Sequence, residues 1–240
     1  MPNEFSAAWF DTFLSPATLA PVDRELAFVE KHLPLREFGR LLDVPCGIGR
    51  HASALAALGY DVVGVDRDGA AIDQAQATAP PGVSYRVGDM ADLDDLPSDF
   101  DAVLCLWQSF GFGTDDENLE TLAKMGRRVR PGGRFLLDIY NAEALKGLPG
   151  ETTRQVGERT VRTRQVLQDG RLQAHISYSD RPVEDHYDWR VYTPSELMGL
   201  ASAAGLKTLF ACAWFDAEVA PSPEHRRMQM LFEGSSHPTP

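Results

Sequence analysis

Residues 41–66, LLDVPCGIGRHASALAALGYDVVGVD, have the pattern of a strand, a glycine loop, a helix and a second strand. Pro45 ends the first strand because proline has no backbone donor, and Gly47 and Gly49 permit a tight turn. The small residues at 51–58 favour a helix that packs closely on a sheet. The stretch therefore predicts a right-handed βαβ unit with parallel strands.

Strands and helices continue to alternate through the next eighty residues or so, which predicts a doubly wound α/β sheet. We expect helices at 70–79 and 118–129 and strands at 83–87, 100–107 and 134–140, with a sharp turn at 130–133 before the last of these. After residue 190 the sequence predicts a helix at 193–206, strands at 206–215 and 228–232, and a disordered tail, EGSSHPTP, at 233–240.

Between these regions, the spacing of apolar residues changes from a helical period to the two-residue alternation of a β-strand. RTVRTRQVLQDGRLQAHISYSD, residues 159–180, alternates apolar and polar residues around Asp169-Gly170, a strong hairpin signal. We expect one core domain (1–150 and 191–240) and an antiparallel β insertion (151–190) that forms a cap over a substrate pocket or a dimer surface. The insertion also carries a cluster of arginines that reads as a solvated hairpin face or as an anion- or RNA-contacting strip: Arg154, Arg159, Arg162, Arg164 and Arg171.

The N-terminal region is predicted to be helical and is rich in aromatic residues. Phe5, Trp9, Phe10 and Phe13 come first, and VDRELAFVEKHL follows at 22–33 with apolar residues at helical spacing. The aromatic side chains would pack a helix on a sheet edge or form a lid over a ligand.

Composition limits the function. The chain has 23 basic and 35 acidic residues, a formal net charge of −12, so nucleic acid is an unfavourable partner and an anionic membrane is too. Its three cysteines are far apart, which suits reduced thiols and indicates no zinc site, so no metal is expected. A leader and a long apolar run are both lacking, which predicts a cytoplasmic protein.

The glycine loop and the acid after it predict an adenosine-containing cofactor. Ligands of open parallel sheets bind at the carboxyl ends of the strands, where backbone N–H groups that open a helix can receive an anion. Asp66 follows Gly47 by 19 residues, the spacing at which a carboxylate meets the hydroxyls of a ribose. The pattern alone leaves open a nicotinamide or flavin dinucleotide, with Ala52 completing G-x-G-x-x-A, or S-adenosylmethionine.

Several motifs together resemble the class I S-adenosylmethionine-dependent methyltransferases of small-molecule type. D-V-P-C-G-I-G-R-H at 43–51 resembles motif I, VGDMADL at 87–93 the loop after strand three, FDAVLCLWQSFGF at 100–112 the motif after strand four, and VRPGGRFLLDIYN at 129–141 the turn and strand five. The resemblance implies a mainly parallel, seven-stranded Rossmann-like sheet with the β insertion after strand five.

The resemblance also implies a role for each matching residue. Gly47 and Gly49 would line the methionine part of the cofactor, with Asp43 near its amino group, and Asp66 would bind the ribose. The remaining cofactor neighbours would be Arg67 beside the adenine, Asp89 on its amino group, Met90 on a ring face, and Leu106 and Trp107 at the methyl-transfer pocket. Asp89 could instead be a turn acid, Leu106 and Trp107 could be core residues, and His51 could be exposed, a helix cap or a cofactor neighbour.

The methyl acceptor is less defined, because in-line transfer needs mainly alignment and can proceed without a general base. Tyr140 is the best-placed catalytic candidate, at the carboxyl end of a strand. Weaker candidates, for which surface or packing roles are also open, are Asn141, His175, His186, Tyr187, Trp189 and Arg190. The sequence thus predicts methyl transfer to a small-molecule acceptor, with S-adenosyl-L-homocysteine as product, by a monomer or homodimer. Methylation of tRNA or protein and nicotinamide-dependent oxidoreduction are the alternatives.

Overall fold

Eleven strands and seven helices form the part of the chain that this computed structural model describes, residues 3–14, 22–148 and 150–234. The strands are β1 (Arg40–Asp43), β2 (Asp61–Asp66), β3 (Val83–Val87), β4 (Phe100–Cys105), β5 (Val129–Tyr140), β6 (Glu151–Val156), β7 (Arg159–Gln168), β8 (Arg171–Tyr178), β9 (Arg181–Arg190), β10 (Leu206–Cys212) and β11 (Arg227–Gly234). The helices are α1 (Ala7–Phe13), α2 (Asp23–His32), α3 (Arg50–Ala57), α4 (Gly69–Ala77), α5 (Asp115–Gly126), α6 (Ala142–Leu145) and α7 (Pro194–Ala203).

The main sheet has seven strands in the order β10-β11-β5-β4-β1-β2-β3. Strand β11 is antiparallel to both of its neighbours, and the other neighbouring pairs are parallel. An apolar core cluster covers each face, with Leu42 and Val103 on one and Leu41 and Leu104 on the other. The predicted doubly wound sheet is confirmed. Its parallel strands end together at one side, the carboxyl edge of the sheet.

Several element boundaries differ from the sequence prediction. Strand β4 ends at Cys105 rather than at residue 107, and helix α5 ends at Gly126 rather than at residue 129. Helix α5 begins at Asp115 because Thr114 and Glu117 form a capping box. The predicted turn at 130–133 lies inside β5, where the pairing with β4 shifts register. Strand β10 ends at Cys212 rather than at residue 215. The predicted tail falls mostly on residues 235–240, which lie outside the described residues.

The insertion forms a separate antiparallel sheet, the cap sheet, in the order β6-β7-β8-β9. Asp169 and Gly170, both at positive φ, form the predicted turn between β7 and β8. Alternate residues point to opposite faces. Tyr187 and Asp185 lie on the buried inner face, whereas His186 lies on the exposed outer face.

The N-terminal segment packs on the inner face of the cap sheet rather than on an edge of the main sheet. Ala8 of α1 shares an apolar cluster with Val161 and Tyr178. The Ser6 backbone N–H and hydroxyl each donate to the Asp185 carboxylate at 2.8 Å.

The described residues include no helix with the length and apolar character of a membrane span.

The loop after β4 joins the two sheets. The Arg190 N–H donates to the Gly111 carbonyl at 2.7 Å, and a Cβ at Gly111 would lie 2.2 Å from the Arg190 carbonyl oxygen. Arg171 donates to the Gly113 carbonyl at 3.0 Å. The cap sheet is therefore held against the carboxyl edge of the main sheet by backbone contacts that tolerate no side chain at residue 111.

Candidate active site

Asp66 fixes the glycine loop. At the end of β2, one carboxylate oxygen accepts from the Gly47 N–H at 2.7 Å and the other from the Asp68 N–H at 3.0 Å. Each carboxylate oxygen has two acceptor positions, so the carboxylate can still accept from ligand hydroxyls. Burial raises the pKa of Asp66, and the two amides oppose that rise. The motif therefore forms one rigid unit from β1 to β2.

The two glycines serve different purposes. Gly49, at φ +76°, begins α3, and a Cβ there would lie 2.3 Å from the Tyr85 hydroxyl oxygen. Gly47, at φ +54°, has no atom within 4 Å of such a Cβ. Gly49 is thus required by the packing of the protein itself, whereas Gly47 leaves open space at the carboxyl edge.

Asp43 is the least satisfied polar group of the site. Its side chain is 1% exposed, and neither carboxylate oxygen makes a hydrogen bond of ordinary geometry with a described residue. Burial and the nearby Asp66 charge raise the pKa of Asp43 to about 7, although the Ala52 amide and Arg50 oppose the rise. A cationic ligand group would compensate such a carboxylate. The ammonium and sulfonium groups of S-adenosylmethionine supply that charge, so the residues fit this cofactor.

The residues predicted to contact the adenosine lie at the ends of β2 and β3. Asp89 accepts from the Ala91 N–H at 2.9 Å, so it closes a turn while most of its carboxylate stays exposed. Met90 is partly buried against the core. Arg67 is exposed, and its guanidinium donates to the Asn3 carbonyl oxygen. The N-terminal segment therefore reaches the predicted adenine side of the site.

His51 is buried, which contradicts an exposed position. It is 7% exposed on the first turn of α3, and its Nε2 has no described hydrogen-bond partner. Burial, followed by the charges of Arg50 and Arg227, lowers the pKa of His51 to about 3. The ring is neutral at physiological pH, and Nε2 is available to a ligand.

Trp107 and Gln108 adopt left-handed backbone conformations, with φ of 64° and 60°. Such conformations are costly for residues other than glycine and persist where the surroundings impose them. The Trp107 N–H donates to Asp138 Oδ2 at 2.9 Å, and Arg50 lies 4.5 Å above the indole ring. Leu106, the neighbouring candidate, is 3% exposed within the apolar core.

Asp138 organises this loop, and the sequence reasoning missed it. It is fully buried in β5 and also accepts from the side-chain amides of Gln108 at 3.1 Å and Gln229 at 2.7 Å. Arg227 donates to both of its oxygens. The available signal was a single acid within the apolar run FLLDIY. Its partners come from segments 30 and 89 residues away.

Aromatic side chains from four segments meet between the main sheet and the cap sheet. Trp189 is the centre of this group, the aromatic wall, with ring centroids 5.5 Å from Tyr187, 5.9 Å from Tyr140 and 6.2 Å from Phe112. Phe5 lies 5.5 Å from Tyr187. The Tyr187 hydroxyl and Trp189 Nε1 are buried without a described hydrogen-bond partner. The wall therefore contains two buried polar groups that no described residue satisfies with a hydrogen bond.

Other candidates have structural roles. Asn141 is fully buried, accepts from the Glu143 N–H at the start of α6 and donates to the Ser222 carbonyl. Arg190 pairs with Asp115 and Glu196. The arginine cluster is largely neutralised by cap-sheet carboxylates: Arg159 with Asp180, Arg162 with Glu151, Arg164 with Glu184 and Arg171 with Asp188. This pairing favours a solvated hairpin face over an anion-binding strip.

Comparison with known proteins agrees with this geometry. The model of a methyltransferase domain matches residues 41–133. A ubiquinone biosynthesis O-methyltransferase of Mesorhizobium japonicum is 35% identical over 112 residues, 45% of this chain and 43% of its own length. A cypemycin N-terminal methyltransferase of a Streptomyces species is 33% identical over 141 residues, 58% of this chain and 56% of its own.

The structural similarity to known methyltransferases covers nearly the whole chain. The structure of the CcbJ methyltransferase from Streptomyces caelestis superposes with a TM-score of 0.81 at 24% identity, covering 96% of each chain. The matches to the curated relatives span only about half of those proteins' length. Residues 41–133 therefore match a methyltransferase domain, and the chain shares the Rossmann-like fold of methyltransferases of known structure.

Proposed function

We propose that this protein transfers a methyl group from S-adenosylmethionine to a small-molecule acceptor. The observation that carries the proposal is Asp43, a buried carboxylate without a hydrogen-bond partner of ordinary geometry beside the open space at Gly47. Such a group fits a cationic methionine moiety better than the pyrophosphate of a dinucleotide, which would add negative charge next to Asp43 and Asp66.

Each part of the cofactor has a proposed partner. Asp43 and the backbone at Gly47 and Gly49 would hold the methionine part, Asp66 the ribose, and Asp89 with Met90 the adenine; Arg67, Leu106 and Trp107 would be further neighbours. When bound, the cofactor supplies a sulfonium-activated methyl group. The residues of this chain then need to bind the acceptor, align it and exclude water.

Calorimetric titration with S-adenosylmethionine tests the cofactor site. Charge-assisted hydrogen bonds contribute roughly 1.5–3 kcal/mol, so Asp66→Ala should weaken binding by one to a few factors of ten. Asp73→Ala, on the exposed side of α4, is the matched control. Unchanged affinity in Asp66→Ala would remove Asp66 from the site, and NADH binding in preference to S-adenosylmethionine would support the oxidoreductase instead.

The acceptor is placed at the aromatic wall. Tyr140 ends β5 at the carboxyl edge, and Trp189 and Tyr187 face it from the cap sheet. Aromatic faces bind flat or apolar groups, and the unpartnered Tyr187 hydroxyl and Trp189 Nε1 would orient a polar substituent. We therefore favour the cap reading of the insertion over the dimer reading. A strict monomer by light scattering at high concentration would exclude a dimer.

Tyr140 is proposed to position the acceptor rather than to remove its proton. Burial raises the pKa of Tyr140, so its hydroxyl is neutral at physiological pH and can donate or accept a hydrogen bond. Losing one such bond corresponds to about tenfold in kcat/KM. Tyr140→Phe should show this decrease with the true acceptor, and normal kinetics would exclude the hydroxyl from the reaction.

The acceptor class needs a direct screen. The relatives named above include an O-methyltransferase of ubiquinone biosynthesis and an N-terminal methyltransferase of cypemycin, so the family is compatible with oxygen and nitrogen nucleophiles. Labelled S-adenosylmethionine should yield labelled small products from a metabolite mixture. Labelled RNA or protein, with filter retention of RNA, would support the macromolecular alternative, which the net charge of −12 disfavours. We further expect the reaction to take place in the cytoplasm.

A further inference from the structure

Two histidines face each other on the outer face of the cap sheet. His175 of β8 and His186 of β9 are directly opposed in the strand register, with ring centroids 4.3 Å apart. Glu184 precedes His186 by two residues and therefore shares its face. One ligand atom from each of these three exposed side chains lies within 4.8 Å of the others. The juxtaposition depends on the backbone register as well as on side-chain rotamers.

We propose that His175, Glu184 and His186 bind a divalent transition-metal ion of the zinc type. Imidazole nitrogens and a carboxylate oxygen are ordinary Zn²⁺ ligands at about 2.0–2.2 Å. Tetrahedral ligands at that distance are about 3.3 Å apart, so the ligand atoms, which lie within 4.8 Å of one another, need to close by at most roughly 1.5 Å. Exposed side chains can make this change by altering their rotamers. Three protein ligands leave the fourth position to water.

Arg164 of β7 modulates this site. It is opposite His175 in the register, and its guanidinium lies 4.0 Å from Glu184. Without a metal, this cation balances the carboxylate. A bound dication would be repelled by Arg164 and would compete with it for Glu184. Removing the Arg164 charge should therefore tighten metal binding, the opposite of removing a ligand.

The site is separate from the proposed methyl-transfer chemistry. Residues 184, 186 and 188 of β9 alternate with Asp185, Tyr187 and Trp189, so the metal ligands and the aromatic wall are on opposite faces of one strand. A metal would link β8 to β9 and stabilise the strand that carries the wall. It would contribute no group to the reacting atoms.

Zinc titration of the metal-free full-length protein, followed by calorimetry near neutral pH, tests the proposal. We expect one site per chain, at least tenfold weaker binding in His186→Gln, and several-fold tighter binding in Arg164→Gln. His225→Gln, which removes an imidazole elsewhere, is the matched control. Equal affinity in His186→Gln and the wild-type protein, or no binding at millimolar zinc, would overturn the proposal.

Cobalt substitution provides a second measurement that does not require a folded variant. Wild-type protein with one equivalent of Co²⁺ should show the intense visible absorption of a four-coordinate ion, and zinc should displace it. A weak spectrum like that of hydrated cobalt would refute the site. Binding of S-adenosylmethionine should be unaffected by the metal, so this proposal and the proposed function can fail independently.

Discussion

Replacing Asp43 with asparagine should stabilise the ligand-free protein, although the residue lies in the centre of the proposed cofactor site. The pKa of Asp43 is raised to about 7 from an ordinary value of 3.8. Between these two pH values the folded state holds the proton that the unfolded state releases. The contribution of this group to the free energy of unfolding therefore falls as pH rises through that window and is constant above about pH 7.

The magnitude follows from the size of the window. One pH unit corresponds to about 1.36 kcal/mol, so the Asp43 carboxyl group costs roughly 2 kcal/mol at pH 5.5 and about 4 kcal/mol at pH 8. An asparagine side chain cannot ionise and avoids this cost. The stability advantage of Asp43→Asn should then grow by about 2 kcal/mol from pH 5.5 to pH 8.

Urea denaturation of both proteins at the two pH values measures the effect, with Asp73→Asn on α4 as an exposed control. Saturating S-adenosylmethionine at pH 8 should reduce the advantage of Asp43→Asn to roughly 1–2 kcal/mol, because a ligand at about 100 times its Kd adds roughly 2.7 kcal/mol to the protein that binds it. An Asp43→Asn protein that is less stable at pH 8 without ligand, or an advantage independent of pH, would refute the reasoning.

Two further substitutions distinguish packing from ligand roles. Gly49→Ala should unfold or strongly destabilise the protein, because its Cβ would lie 2.3 Å from the Tyr85 hydroxyl oxygen, whereas Gly47→Ala should cost only roughly 1–2 kcal/mol for its left-handed backbone and should lose cofactor affinity. Thermal melting with calorimetry separates the two, and similar behaviour would contradict the assignment. Asp138→Asn should lower the free energy of unfolding by about 3–5 kcal/mol, because it leaves Arg227 without its buried partner. A loss below about 1 kcal/mol in urea would remove Asp138 from its organising role.

Local chemistry explains why much of the fold could be predicted. The glycine loop and the Asp169-Gly170 turn depend on residues a few positions apart, and the structure has both of them. The shifted start of α5 also has a local cause, its capping box. In contrast, residues 130–133 are part of β5 and not a turn before it, because the pairing of β5 with β4 shifts register there. That shift depends on the neighbouring strand and not on nearby sequence.

The residues of the candidate site also form two groups. The positions of some follow from nearby sequence, and the positions of others depend on contacts between distant segments. Asp43, Gly47 and Asp66 lie within one βαβ unit, so their proximity follows from their spacing. The contacts of Asp138 with Arg227, of Trp189 with Tyr140 and of Tyr187 with Phe5 depend on how distant segments dock. No spacing rule predicts such contacts. The histidine pair of the cap sheet likewise depends on strand register and not on the spacing of residues along the sequence.

The proposed cofactor ligands and the proposed acceptor wall lie in different parts of the chain. The matched methyltransferase domain ends at residue 133, before the three cap-facing aromatic residues Tyr140, Tyr187 and Trp189. The proposed cofactor ligands lie inside it, and hydrogen bonds of Asp66 to the Gly47 and Asp68 amides hold the glycine loop to the end of β2. Substitutions in the cap sheet can therefore change the acceptor wall without disturbing Asp43 or Asp66.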